Sequence, residues 1–279
     1  MKITIPAYAK INLFLEVLDK RPDGYHNIDT IMHTIPLHDM LTISAVPARE
    51  TAVTLTCSCP RTPIGQGNTA YRAAEAFCSA AGVALAVEIH IEKHIPSEAG
   101  LGGASADAAA VLHGLNQLAG FPLSTATLCA VGGTIGADVP FCVMGGCARA
   151  TGIGEVLTPL PTLPPCHIVI GKGGAGVSTA QAYAGLPPRA EYKDSTLFAT
   201  ALSAGNLQEM SLHAYNAFES VMVEDSRAIK AMLAEQGAVI SMLSGSGAAV
   251  FGLFDCPERA NKATERLLAS GYFAYKELV

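Results

Sequence analysis

Alternating apolar and polar side chains mark several short segments of the chain as strands. Residues 2–18 have this character, with two candidate strands meeting near residues 8–10. The segments 41–46 and 52–57 predict two further strands, and the PARET segment between them predicts a hairpin connection. From Leu85 to Ile91 every second residue is apolar, which predicts a strand that buries one face.

Alanine-rich segments with end signals predict helices. Residues 68–81 begin at an asparagine that can cap a helix and stop before a glycine. Residues 105–118 predict a second helix, which ends at the Gly-Phe-Pro sequence of 120–122. Residues 124–131 predict a third helix, capped by its first serine.

The proline-rich segment PLPTLPP at 159–165 is the best candidate for a domain boundary, so we predict domains at 1–158 and 159–279. The elements expected in the second domain are strands at 167–170, 248–254 and 272–278, a helical segment near 178–185, two or three helices before residue 248, and a last helix from Pro257. Hairpin-like strands and segregated helices together favour an α+β fold.

Composition narrows the class of protein. Of 279 residues 50% are hydrophobic and 15% charged, so the chain can bury a sizeable core. The net charge is −6 and no basic run occurs, which argues against a nucleic-acid partner but not against a small phosphorylated ligand. No apolar run approaches the ~20 residues that cross a bilayer, and no signal peptide is evident at the N-terminus. We therefore expect a cytoplasmic protein with no membrane partner, whose eight cysteines mostly pack as small buried apolar residues.

Two glycine-rich stretches compete as phosphate sites. Residues 171–176, GKGGAG, formally match the dinucleotide fingerprint after a predicted strand, and Glu191 lies near the expected acidic position. The residues that follow do not alternate strand and helix as a doubly wound sheet requires. A dinucleotide-binding oxidoreductase is therefore the weaker interpretation.

The other stretch, PSEAGLGGASAD at 96–107, lies between an alternating strand and an alanine-rich helix. Its three glycines remove the Cβ atoms that would keep backbone N–H groups from converging on an anion. A helix beginning near Ser105 would add unpaired N–H groups and a positive dipole end, and the Ser105 hydroxyl could contact a phosphate oxygen or Mg²⁺. The stretch predicts a phosphate site, although close helix packing would also explain its glycines.

With its surroundings, this stretch resembles the central phosphate loop of the galactokinase–homoserine–mevalonate–phosphomevalonate (GHMP) kinase superfamily. Two further segments resemble the other motifs of that superfamily, in the same order: PAYAKINL at 6–13 and LSGSGAAVFG at 243–252. The resemblance implies a two-domain α+β kinase fold, with a ribosomal-protein-S5-like N-terminal domain and a ferredoxin-like C-terminal domain. It also implies ATP and Mg²⁺ as cofactors.

The resemblance narrows to the family that phosphorylates the 2-hydroxyl of 4-diphosphocytidyl-2-C-methyl-D-erythritol in the non-mevalonate route to isoprenoids. The similar segments span essentially the whole chain: AKINLFLEVLDKRPDGYHNIDT at 9–30, GADVPFCVMGGCARATGIGE at 136–155, VSTAQAY at 177–183 and YNAFE at 215–219. The partner so implied is a small cytidine-diphosphate compound. The chain departs from the family at Ala104 and Ala106, where Gly and Ser are common, and at 171–173, where proline is usual.

Phosphoryl transfer needs an oriented hydroxyl, a base for its proton and positive charge near the transferring group. The resemblance assigns Asp138 as the catalytic base and Lys10 as the lysine beside it. From the residues alone, Asp138 could be a capping or loop aspartate. Lys10 lies in an otherwise apolar stretch, which is unusual for a solvated lysine. Asn12, two residues on, shares its strand face and is placed for substrate hydroxyls.

The remaining site residues also follow from the resemblance. Tyr25 and His26 would hold the cytosine with an aromatic face and an imidazole. Asn68 and Lys93 would lie near the adenine and ribose. The residues expected around the ATP phosphates are Pro96, Ser97, Glu98, Ala99, Gly100, Leu101, Gly102, Gly103, Ala104, Ser105 and Ala106. The Glu98 side chain is expected to point to solvent, and Asp107 is interpreted as a dipole partner of the helix.

Two other functions stay open. One is a GHMP kinase acting on homoserine or mevalonate, against which the Tyr25-His26 turn argues. The other is a non-catalytic nucleotide-binding homologue, against which the presence of both Lys10 and Asp138 argues. The sequence assigns no side chain to Mg²⁺ and gives no oligomeric state.

Overall fold

The computed structural model describes residues 1–188 and 191–279. Its strands are β1 (Lys2–Lys20), β2 (His26–Pro47), β3 (Ala52–Cys57), β4 (Leu85–Glu92), β5 (Cys147–Thr151), β6 (Val156–Leu160), β7 (His167–Lys172), β8 (Tyr215–Asn216), β9 (Ile240–Leu243), β10 (Val250–Phe254) and β11 (Phe273–Leu278). Its helices are α1 (Thr69–Ala81), α2 (Gly103–Leu118), α3 (Thr125–Gly133), α4 (Val139–Met144), α5 (Thr179–Gly185), α6 (Thr196–Ser203), α7 (Leu207–His213), α8 (Glu224–Glu235) and α9 (Pro257–Ala269), with a 3₁₀ turn at Ala217–Val221. This mixture confirms the α+β class.

The chain groups into two compact units that interleave along the sequence. Unit 1 comprises Met1–Ala9, Leu37–Ile95 and Gly102–Gly145. Unit 2 comprises Lys10–Pro36, Pro96–Leu101 and Gly146–Val279. The predicted boundary between residues 158 and 159 stays a prediction.

In unit 1, the hairpin predicted between the strands at 41–46 and 52–57 is wrong. Strand β4 pairs antiparallel with β2, with Met40 opposite Glu92, and pairs parallel with β3, with Ala52 opposite Ala86. Strand β4 therefore lies between the two strands that were expected to be neighbours. The PARET segment joins strands that are not adjacent.

Small residues bring the helices of unit 1 close to its sheet and to each other. Helix α1 begins at the Asn68 cap and ends at Gly82, as predicted. In α2, a Cβ at Gly114 would lie 2.7 Å from Ile43 Cδ1, so the glycine permits the approach of helix to strand. Helix α2 begins at Gly103, two residues before the predicted start at Ser105.

Unit 2 contains a sheet of four strands in the order β11-β7-β10-β9, in which every neighbouring pair is antiparallel. Strand β7 contains Gly171, where a Cβ would lie 2.6 Å from Ile229 Cγ2 of α8. The first glycine of GKGGAG thus permits a helix to pack on the sheet. An antiparallel setting is not that of a dinucleotide fingerprint, which requires parallel strands.

The first two strands are longer than predicted. Strand β1 is continuous through residues 8–10, where two strands were expected, and its residues 9–17 are buried on both faces. Strand β2 begins at His26 although only 41–46 was predicted. Its buried polar residues Asp29, Thr30 and His33 interrupt the apolar pattern that marks a strand. None of the helices within 1–188 and 191–279 is long and apolar enough to cross a membrane.

Candidate active site

The loop at 96–101 is held by the turn that precedes β10, and both belong to unit 2. The N–H groups of Ala248 and Ala249 donate to the carbonyls of Glu98 and Ala99, at 3.2 and 3.0 Å. The Ser244 hydroxyl donates to the Gly100 carbonyl at 2.9 Å. The second and third sequence motifs are therefore in direct contact.

Lys10 and Asn12 join the same region of unit 2. The Lys10 N–H donates to the Leu101 carbonyl at 3.0 Å, and Lys10 Nζ donates to Asn12 Oδ1 at 2.7 Å. Asn12 Nδ2 donates to the Thr30 hydroxyl at 2.8 Å, which fixes the orientation of the amide. Lys10 and Asn12 are only 4% and 3% exposed, so the lysine is not a solvated surface residue. The strand face they were predicted to share is confirmed.

The end of the loop forms the start of α2 in unit 1. Gly102 is the N-cap, with φ at +71° and no side-chain capping bond, and the Ala106 N–H makes the first backbone bond of the helix, to the Gly102 carbonyl at 2.8 Å. The N–H groups before it, at 103–105, are those that an α-helix leaves without intrahelical partners. Such a helix start favours an anion. Ala104 is exposed and its carbonyl accepts from the Thr69 hydroxyl at 2.5 Å.

Lys93 joins two buried aspartates of unit 1. Its Nζ donates to Asp39 and, at 2.8 Å, to Asp107 Oδ2. Asp39 also accepts the N–H groups of His94 and Ile95, at 2.5 and 2.8 Å. Asp107 Oδ1 is one of two buried side-chain polar atoms in the described residues that have no hydrogen-bond partner.

This cluster carries two carboxylates against one ammonium, and so favours one bound proton. Burial raises the pKa of Asp107 to about 7, although Lys93 opposes the rise. Burial lowers the pKa of Lys93, but Asp107 and Asp39 outweigh it and raise that pKa above its usual value. The raised pKa of Asp107 means that its carboxyl binds a proton more readily than an exposed aspartate does.

The structure places the other predicted ATP residues as follows. Asn68 lies in unit 1, 7% exposed, where Oδ1 accepts the Ala70 N–H and Nδ2 donates to the Pro63 carbonyl, both at 2.8 Å. Ser97 and Glu98 are exposed, as expected for Glu98. Glu98 has a φ of +50°. The contacts of Asn68 and Lys93 with adenine and ribose stay predictions.

Asp138 precedes the short helix α4 of unit 1 and is half-buried. It occupies the N-cap position of that helix, but its side chain makes no capping hydrogen bond there. Lys10 belongs to unit 2 and Asp138 to unit 1. Their catalytic roles stay predictions.

The Tyr25-His26 pair lies on a tight turn of unit 2. Asp23 shapes this turn, accepting the Tyr25 N–H at 3.1 Å and pairing with Arg21 at 2.9 Å. The hydrogen bond from Arg21 lowers the pKa of Asp23. Tyr25 is 61% exposed, and the His26 ring stacks on Tyr183, with ring centroids 5.1 Å apart and planes at 21°.

Sequence reasoning assigned no role to Tyr183, the residue that stacks on His26, although it ends the VSTAQAY segment that carried part of the resemblance. It also gave no role to Asp39, which lies within strand β2 and is 54 residues before its partner Lys93 in the sequence. In the part of the chain that the structure describes, no three His, Cys, Asp or Glu side chains are grouped to hold a metal ion.

Comparisons with known proteins agree with these motifs. The family model "GHMP kinases N terminal domain" matches residues 68–146, and "GHMP kinases C terminal" matches 198–272. The chain is 42% identical over 268 residues to the 4-diphosphocytidyl-2-C-methyl-D-erythritol kinase of Caldicellulosiruptor saccharolyticus, covering 94% of this chain and 92% of the relative. A crystal structure of 4-(cytidine 5'-diphospho)-2C-methyl-D-erythritol kinase has a TM-score of 0.81 at 33% identity, covering 99% of this chain and 98% of that one. A homoserine kinase from Cytophaga hutchinsonii, at 17% identity and a TM-score of 0.71 over 96% of this chain and 94% of that one, shares the fold.

Proposed function

The chain belongs to the GHMP kinases and, within them, to the 4-diphosphocytidyl-2-C-methyl-D-erythritol kinase family, and from this premise we propose its substrate and site. The enzyme class is that of an ATP-dependent small-molecule kinase. We propose that it transfers the γ-phosphoryl group of ATP to the 2-hydroxyl of 4-diphosphocytidyl-2-C-methyl-D-erythritol.

The observation that carries this proposal is the convergence of three separate sequence motifs in unit 2. The Lys10 N–H, the Ser244 hydroxyl and the Ala249 N–H all donate to carbonyls of the 96–101 loop. These bonds occupy the carbonyl side of the loop. Its N–H side and the first N–H groups of α2 are assigned to the ATP phosphates, because a glycine-rich loop at a helix start suits bound phosphate.

The chemistry assigns one step to each charged group. The oxygen of the 2-hydroxyl bonds to the γ-phosphorus of ATP while the Asp138 carboxylate accepts the proton of that hydroxyl. ADP leaves with the electron pair of the broken P–O bond. The Lys10 ammonium, held by Asn12 at 2.7 Å, supplies positive charge near the reacting oxygen. Mg²⁺, when bound, would neutralise phosphate charge, with the Ser105 hydroxyl as a nearby oxygen ligand. Asp107 is already engaged by Lys93 and is not assigned to the metal.

The cytidine end of the substrate is assigned to the Tyr25-His26 turn. The exposed Tyr25 ring offers an aromatic face, and the His26 imidazole, which stacks on Tyr183, offers a hydrogen-bonding edge. Homoserine and mevalonate carry no base that would use such a surface. Their kinases remain the alternative, together with a non-catalytic nucleotide-binding homologue.

The test is release of ADP from Mg·ATP by purified protein, with and without 4-diphosphocytidyl-2-C-methyl-D-erythritol. Asp138→Asn should lower turnover by about 10²- to 10⁴-fold, because it removes a general base. Asp255→Asn is the matched control, since Asp255 is exposed and pairs only loosely with Arg259, at 3.6 Å.

Homoserine and mevalonate are tested in parallel as acceptors. Turnover with either of them, and none with the cytidine compound, would move the substrate to the alternative kinases. No turnover with any acceptor, together with retained ATP binding, would favour the non-catalytic homologue.

A further inference from the structure

Asn216, at the end of β8, uses its whole side-chain amide inside unit 2. It is 2% exposed. Its Nδ2 donates to the carbonyls of Leu243 and Gly245, at 2.8 and 2.9 Å, and its Oδ1 accepts the Phe218 N–H at 2.9 Å. Without the amide, two buried carbonyls would lose their donor, which is costly away from water.

The turn that Asn216 holds is the one that holds the phosphate loop. Between the two carbonyls lies Ser244, fully buried, whose hydroxyl donates to the Gly100 carbonyl at 2.9 Å. A Cβ at Gly245 would lie 3.1 Å from the Gly100 carbonyl oxygen, so turn and loop are in close contact. A displaced turn must therefore displace the loop.

A second side chain supports only one end of this turn. Glu219 Oε1 accepts the Leu243 N–H at 3.1 Å. Asn216 bonds both sides of Ser244, at Leu243 and at Gly245. The direction of the Ser244 hydroxyl thus depends on Asn216 more than on Glu219.

We propose that Asn216 is a positioning residue for phosphoryl transfer, which acts through Ser244 on the backbone of the phosphate loop. The proposal rests on the proposed function, since it takes residues 96–106 as the ATP phosphate site. The three hydrogen bonds of the Asn216 side chain go to Leu243, Gly245 and Phe218, none of which belongs to that loop. It sets where the loop N–H groups point.

Two variants test this role, one at Asn216 and one at Ser244. Asn216→Asp keeps the size and the acceptor for the Phe218 N–H, but turns a carboxylate oxygen towards two carbonyls. Ser244→Ala removes only the hydroxyl that reaches Gly100, and serves if Asn216→Asp does not fold. Asn206→Ala is the control, because Asn206 is an exposed helix cap that accepts the Glu209 N–H at 3.0 Å, away from the turn.

The measurements are the Kd of a non-hydrolysable ATP analogue by calorimetry and the KM values for ATP and the cytidine substrate. Asn216→Asp and Ser244→Ala should each weaken binding of the analogue by about tenfold or more, because small misplacements in a site are costly. KM for ATP should rise together with the Kd of the analogue, and KM for the cytidine substrate should change less. The variant that carries both Asn216→Asp and Ser244→Ala should bind the analogue no more weakly than the single variant with the higher Kd. Both substitutions act through the same contact, from Ser244 to Gly100, so their effects should not add.

The proposal is overturned if Asn216→Asp and Ser244→Ala bind the analogue as the wild type and Asn206→Ala do. It is also overturned if their effects simply add. If the wild type itself neither binds the analogue nor turns over, the proposed function fails, and the positioning role falls with it. The wild-type measurement therefore separates the two failures.

Discussion

The two glycine-rich stretches of this chain use their missing side chains in different ways. In the first, Gly100 and Gly102 have φ values of +72° and +71°, which a residue with a Cβ rarely adopts. A Cβ at Gly100 would also lie 2.0 Å from the Ser244 carbonyl oxygen. These glycines set the direction of the backbone and let it approach a neighbouring turn.

In the second stretch three of the four glycines make room for side chains of other segments. A Cβ at Gly173 would lie 2.2 Å from Asp225 Oδ2, and one at Gly176 would lie 2.0 Å from Glu98 Oε2. None of the four glycines at 171–176, all of them described, has a φ in the left-handed region. The Asp225 carboxylate beside Gly173 would repel a phosphate.

The contrast shows why a glycine pattern alone is weak. GKGGAG matches a nucleotide fingerprint letter by letter, yet it begins within an antiparallel strand and lies against the Asp225 carboxylate. Residues 96–106 match no Walker sequence, yet they lead into a helix start and are bonded by two other motifs. What surrounds the glycines decides their use.

The largest effect is expected when a glycine of the first stretch is compared with a glycine of the second. Gly100→Ala should lower kcat/KM for ATP by more than about 100-fold and destabilise the fold by more than about 2 kcal/mol, because its Cβ meets backbone atoms at a positive φ. Gly174→Ala is the control, since nothing lies within 4 Å of its Cβ, and it should stay within about 0.5 kcal/mol of the wild type. For each variant, steady-state kinetics measure kcat/KM for ATP and urea unfolding measures stability. Loss of ATP use in Gly174→Ala but not in Gly100→Ala would reverse the assignment.

An intermediate effect is expected where the two stretches touch. Gly176→Ala should raise KM for ATP by about 3- to 10-fold, because its Cβ presses on Glu98 in the first loop. Adding Glu98→Gly should restore KM, since it removes the clashing side chain and relieves the positive φ of Glu98. A double variant that is no better than Gly176→Ala would mean that the glycine acts in another way.

The smallest effect concerns the Asp107–Lys93 pair behind the first stretch. Asp107 in the folded protein keeps its proton up to about pH 7, whereas the unfolded carboxyl loses it near 3.8. The stability that this proton contributes is thus present below about pH 4 and is lost as the pH rises towards 7.

Asp107→Asn cannot lose that proton. The free energy of unfolding of the wild type relative to Asp107→Asn should therefore fall by about 1–2 kcal/mol between pH 6 and pH 8. Urea unfolding of both proteins at each pH gives the difference and cancels groups that titrate in both. A constant or rising difference would show that Asp107 is ionised throughout this range.

Sequence patterns predicted the elements that carry their signals locally. Each of these signals lies in the residues of the element itself: the cap at Asn68 and the stop at Gly82 for α1, and the alternation for β4. Strand β2 was missed because Asp29 and His33 are buried and polar, and their burial depends on distant partners. The parallel pairing of β3 with β4 is likewise set by tertiary packing, which a single segment does not encode.

The candidate site divides in the same way. Lys10, Asn12 and the 96–106 loop could be named because they belong to contiguous motifs. Tyr183 and Asn216 act through contacts that join segments far apart in sequence, with no local signal of their own.

The most direct test is backbone hydrogen exchange of the wild-type protein with and without a magnesium complex of a non-hydrolysable ATP analogue. The N–H groups of 99–106 should exchange more slowly with the nucleotide bound, and those of 171–175 should not change. Slower exchange confined to 171–175 would contradict the account and move the nucleotide to the second glycine-rich stretch.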